Sequence, residues 1–135
     1  MSNVVSPISE INLKDSQYYF SRELSWVEFN YRVLNESLDP RTPLLERLKF
    51  SAIFSSNLDE FFMVRVSGLK QQVETNVSTL SPDGRTPTEQ LDAIRKRLLP
   101  LVEQQAHHFE SVLKGELANE GIYLLNYVDL TQEQR

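Results

Sequence analysis

Cysteine is absent from this 135-residue chain, which excludes disulfides and thiolate metal sites and suits a reducing compartment. Only four glycines occur, at Gly68, Gly84, Gly115 and Gly121. None builds a phosphate-cradling loop, because "SPDGRT" has a single glycine, no lysine in the required place and no strand before it. No apolar run reaches the roughly 18 residues that a membrane-spanning helix needs. The opening "MSNVVSPISEINLK" has neither a basic segment nor a long apolar one, so it does not read as a secretory signal. Positive charge is scarce as well. A net charge of −5 argues against broad nucleic-acid binding, which relies on Lys and Arg to neutralise phosphates. Together these absences lead to the expectation of a soluble, cytoplasmic protein with no transmembrane segment and no nucleic-acid partner.

What is present is apolar residues at helical spacing. At 40% apolar, the chain can build one core, and two full domains are not expected. Residues 1–19 show no clear period and are expected to form a flexible arm. "SWVE" suggests a capping box between Ser25 and Glu28, followed by an apolar stripe of Trp26, Phe29, Val33 and Leu34. Trp26 is expected to be largely buried on that stripe, and Glu28 to pair with Arg32 one turn on. Pro40 ends this helix by pushing Asp39 out of the α region. A second helix is expected to start at Thr42, with Pro43 in its first turn, and to run to about Glu74. Ser55 and Ser56 suggest a bend or break within it, since their hydroxyls compete for backbone carbonyls.

Residues 76–86 read as a loop, and "TPTE" then opens a third helix, with Thr86 as cap and Glu89 completing the box. Its period continues to Leu117, Pro100 is expected to kink it, and Gly121 suits a left-handed terminal position. "IYLLNYV" reads as a short strand, and Thr131 with Gln134 as the cap of one more helix. A strand without a partner and a cap without a helix suggest a piece of a longer protein. The expected fold is therefore all-α: an antiparallel bundle of about three long helices over residues 20–121. Residues 122–135 would begin a following domain.

Candidate chemistry is sparse. The only histidines, His107 and His108, are adjacent and diverge by about 100° on a helix, so they cannot share a metal. They read as a surface pair. Asp59 and Glu60 diverge in the same way, and Asp92, Glu103 and Glu110 read as solvated helix face. No nucleophile, base and orienting group come together. No catalytic residue and no metal ligand is assigned. Asn57, within "FSSNLDEFF", stands apart. Its amide offers two donors and an acceptor, which suits a nucleotide base or a phosphate oxygen. An asparagine that merely caps or satisfies a broken turn is the competing reading, and the chemistry of the residues alone favours it, since asparagine is a common cap.

The stretch 19–73, with "ELSWVEFN", "TPLLERLKF" and "SSNLDEFFMVRV", resembles the amino-terminal domain of the bacterial polyphosphate kinases. That family reversibly transfers the terminal phosphate of ATP to inorganic polyphosphate, through a phosphohistidine and with magnesium. The resemblance implies a helical domain that packs over the nucleotide end of an active-site tunnel. It also implies a head domain, two carboxy-terminal domains carrying the catalytic histidine, and a full-length homo-oligomer. Mg2+ and ATP are expected to act in the whole enzyme, and none to be held by this piece alone. The family's ATP-contacting asparagine falls on Asn57. His107 and His108 match no catalytic motif of the family. Asp59, Glu60 and Arg65 share the asparagine's motif but are given no ligand contact; they are expected to fix the helix and a domain interface.

Overall fold

Helical spacing of apolar residues sets up three long helices, and the computed structural model, which describes residues 11–135, contains them. Helix α1 is Arg22–Leu38. The second long helix, 44–74, consists of α2 (Leu44–Phe61), a π-helical turn (Phe62–Val66) and α3 (Ser67–Glu74). The third, 87–119, consists of α4 (Pro87–His108), a second π-turn (Phe109–Leu113) and α5 (Lys114–Asn119). Short 3₁₀ turns occupy Ser16–Tyr18, Tyr127–Asp129 and Gln132–Gln134. Of the expected arm, residues 1–10 lie outside the described residues, and residues 11–19 are exposed. Among the described residues no helix is long and apolar enough to cross a membrane.

The helix ends follow local chemistry, with two corrections. Thr86 and Glu89 form the reciprocal capping box, and Pro87 takes the first position. The cap of α1, however, is Ser21, whose hydroxyl accepts from the Leu24 N–H at 3.2 Å; Ser25 lies inside the helix. Pro43 precedes the second long helix instead of occupying its first turn. At the end of α5, Gly121 adopts φ +79°, the Ile122 N–H reaches the Leu117 carbonyl, and the Gly121 N–H reaches that of Ala118. That is the paired Schellman closure. Asn76, at φ 54°, closes α3 in the same way through Val77 and Gln72.

Contacts between helices fix their directions. Trp26 stacks on Phe61, while Asn30, one turn later on α1, bonds Asn57, one turn earlier on α2. α1 and α2 are thus antiparallel. Arg47 pairs with Glu116 and Ser51 with Gln105, so the second and third long helices are antiparallel too. The core lies at this three-way seam, around Val27, Leu34, Phe54, Leu58, Ile94 and Leu98.

The π-turns account for a spacing that the α-helical period does not. Phe61 and Val66 are both buried, five residues apart. Such a step leaves the buried face in a 3.6-residue helix, and an i→i+5 turn brings it back. The expected break at Ser55–Ser56 does not occur. Ser55 Oγ accepts from Gln105 Nε2 at 2.7 Å, so the hydroxyl ties two helices together instead of opening one. Pro100 is exposed, and α4 continues through it.

Two other local expectations give way to tertiary contacts. Glu28 pairs with Arg97 of α4, at 3.0 Å between Oε2 and the guanidinium, rather than with Arg32. Arg97 also lies 4.9 Å from the Tyr31 ring centre. Residues 122–126 are exposed and carry no regular secondary structure, and among the described residues there is no strand for them to pair with. The cap at Thr131 opens only a single 3₁₀ turn.

Phe54 is fully buried at the seam. Phe54→Ala should cost about 3–5 kcal/mol in chemical denaturation, through the cavity it leaves. A loss below 1 kcal/mol would contradict this packing. The Arg97 hydrogen bond holds the Glu28 carboxyl below its ordinary 4.5. A depressed carboxylate adds stability that is complete above the unfolded value and is lost as pH falls through the folded one. Acid titration of wild type and Glu28→Gln should therefore diverge above pH 4.5 and converge below it.

Candidate functional site: an aromatic cleft between α1 and α2

The antiparallel seam of α1 and α2 opens at one end into a cleft of about 290 Å³. Trp26 and Phe29 contribute from α1, Asn57, Glu60 and Phe61 from α2, and Val64 and Arg65 from the π-turn. The Trp26 ring lies parallel to that of Phe61 at 4.2 Å between centres. Trp26 is half-buried, less than the sequence suggests, because it forms a wall of this cleft as well as part of the core edge. Phe29, expected on the inward stripe, is exposed at the rim. The volume sits near the lower end of the roughly 300–1,000 Å³ of small-molecule sites, room for one end of a ligand such as a flat ring.

Asn57 lines the cleft and is half-buried. Its Nδ2 donates to Asn30 Oδ1 at 3.0 Å, and Asn30 Nδ2 donates to the Phe54 carbonyl at 3.1 Å. Asn57 is thus neither a cap nor a free surface amide. One donor is committed to the fold, while Oδ1 has no partner among the described residues and is not sealed from solvent. Asn30 is the residue that sequence reasoning missed. The available signal was its place on the inward stripe with Val27 and Leu34, where an amide needs a partner.

Two charges flank the amide. Glu60 and Arg65 are exposed, and neither belongs to an ion pair among the described residues. The structure therefore brings together an aromatic wall, an amide and one charge of each sign. Asp59, by contrast, is exposed and does not line the cleft.

The histidines lie elsewhere, at the end of α4. His107 is exposed. His108 is half-covered, and burial with the nearby Arg47 charge pushes its pKa down. Arg47 is itself buried, donating to the Thr42 carbonyl at 3.0 Å and to Glu116. This cluster joins the second and third long helices. No group of three or more His, Asp or Glu among the described residues could hold a metal ion.

Larger hollows also occur among the described residues, but none is lined by either asparagine of the Asn30–Asn57 pair. The groove between the first π-turn and α4, about 450 Å³, is lined mainly by apolar side chains such as Phe62, Leu91 and Leu98. The hollow beside Tyr19 and Phe20, about 570 Å³, is crossed by Asp83 and Arg85, which pair with each other.

Comparison with known proteins places this architecture. Residues 19–125 match the family described as "Polyphosphate kinase N-terminal domain". The polyphosphate kinase of Synechocystis sp. is 68% identical over 125 residues, 93% of this chain and 17% of that protein. That of Thermosynechococcus vestitus is 60% identical over the same shares, and that of Bacillus cereus 51% identical over 93% of this chain and 18% of its own length. The chain spans under a fifth of the length of these curated relatives. No solved structure matches. The family match covers most of the chain, including every long helix and the whole cleft, and the chain therefore belongs to the polyphosphate kinase N-terminal domain family.

Proposed function

We propose that this domain binds the adenine end of ATP in the cleft at Asn57, as part of an enzyme that reversibly transfers the terminal phosphate of ATP to inorganic polyphosphate. The observation that carries the reading is the half-buried Asn57 amide, its oxygen without a partner among the described residues, on an aromatic-walled cleft. An aromatic wall suits a base through its π face, and the amide suits the base edge. The cleft holds no nucleophile–base pair, so it serves binding rather than chemistry. In this reading a histidine outside the 135 residues carries the phosphoryl group, since His107 and His108 match no catalytic motif of the family. Magnesium would travel with the phosphates of ATP. Cytoplasmic location and assembly of the full-length enzyme into a homo-oligomer belong to the same proposal.

A second reading has its own observation. Phe62, Met63 and Val64 are 47%, 70% and 60% exposed on the first π-turn. A non-catalytic helical interaction domain would use such a surface to pack a partner domain. The two readings separate at Asn57.

In the full-length enzyme, Asn57→Ala should raise the Michaelis constant for ATP roughly two- to ten-fold, the cost of one neutral hydrogen bond to ligand. It should also lower stability by about 1–3 kcal/mol, because Asn30 Oδ1 would be left buried without its donor. A lowered melting temperature with unchanged ATP dependence would favour the packing role. The 135-residue chain alone, incubated with ATP, magnesium and polyphosphate, should release no ADP; turnover would overturn the assignment of the chemistry to other domains.

A further inference from the structure

We propose that Asn30 is a positioning residue that orients the Asn57 amide, so that the cleft shows a hydrogen-bond acceptor and favours purines with a 6-amino group over those with a 6-oxo group. This rests on the reading of the cleft as a nucleotide site.

The argument runs along one chain of hydrogen bonds. The Phe54 carbonyl can only accept. Asn30, fully buried, meets it at 3.1 Å and must therefore present its NH₂. That turns Asn30 Oδ1 toward α2, 3.0 Å from Asn57 Nδ2. Two carbonyl oxygens cannot bond each other, so Asn57 must present NH₂ to Asn30. Its own Oδ1 is left without a partner among the described residues, on a side chain that lines the cleft. The polarity of a backbone carbonyl in α2 is thus relayed through two amides to the ligand. Flipping Asn57 would set oxygen against oxygen at a buried site, and flipping Asn30 would do the same at Phe54.

Asn57 retains one free N–H beside that oxygen. An acceptor with an adjacent donor matches the edge of adenine, which offers an exocyclic N–H and a ring nitrogen. Hypoxanthine and guanine place an oxygen where adenine has the amine, and that oxygen would face Asn57 Oδ1. A purine without a 6-substituent would lose one bond without gaining a repulsion.

The test titrates full-length enzyme with ATP, purine riboside triphosphate and inosine triphosphate. Wild type should bind them in that order, with ATP ahead of inosine triphosphate by roughly ten-fold or more, one charge-neutral bond lost and one repulsion gained. Equal affinity for ATP and inosine triphosphate would overturn the proposal without any variant. Asn30→Ala frees the Asn57 amide to turn, so the preference for ATP should shrink to about two-fold or less. Asn30→Asp, as a buried neutral acid, donates through its hydroxyl and accepts through its carbonyl oxygen, and should restore the preference. A merely structural residue would change melting temperature and leave the ratio of the two affinities in place. Asn57→Leu separates the two levels of the argument. If it leaves ATP binding unchanged, the reading of the cleft fails. If it weakens ATP binding while Asn30→Ala keeps the full preference, only the positioning role fails.

Discussion

Asn30 is wholly enclosed between α1 and α2, and a buried amide must find partners there or cost more than it contributes. It finds two on α2, the Phe54 carbonyl and the Asn57 amide. Those two bonds set the register of the seam. One helical turn away, the same register lays Trp26 flat on Phe61 and leaves the end of the seam open. A shift of α1 along α2 would break both bonds and the stack together. The cleft is therefore a consequence of how the first two helices are pinned, and its polar character comes from the same pair of residues that pins them.

The π-turns do complementary work for the second and third long helices. Each passes through one, and each keeps a buried face where a regular helix would rotate it away. In the first, the turn keeps Val66 in the core after Phe61 while Val64 and Arg65 reach the cleft. It also leaves Phe62, Met63 and Val64 on the surface. A continuous α-helix over these residues would trade some core contacts against cleft residues. The ion pairs Glu28–Arg97 and Arg47–Glu116 then join the third long helix to the first two from opposite regions of the bundle. Arg47 is the more constrained, since it is buried and its carboxylate partner is partly exposed. Removing Glu116 would leave a buried cation with only a carbonyl for company.

Much of the fold was legible in the sequence because it depends on neighbours a few residues apart. The Thr86–Glu89 box, the left-handed Gly121 and the helical period of residues 44–74 and 87–119 all follow from chemistry within one or two turns. Where several local solutions compete, the sequence was weaker. The sequence suggests Ser25 as the cap of the first helix, and the structure uses Ser21, about one turn earlier. The segment 122–126 has the composition of a strand, yet a strand exists only where another backbone accepts its hydrogen bonds. Asn57 was legible as a site candidate, through its amide in an aromatic setting and through the family motif. Its hydrogen bond to Asn30 was not.

What the sequence by itself determined is the helical class, the number of long helices, several of their ends and membership of a family that the cleft-forming motif shares. What only the tertiary structure decided is where the polar side chains within those helices point. Asn30 bonds residues 24 and 27 positions away, and Ser55 bonds one 50 positions away. Helix caps are settled by spacing, which a sequence displays. The satisfaction of a buried amide or hydroxyl depends on which distant group the packed seam delivers to it, and that is settled only once the helices have docked.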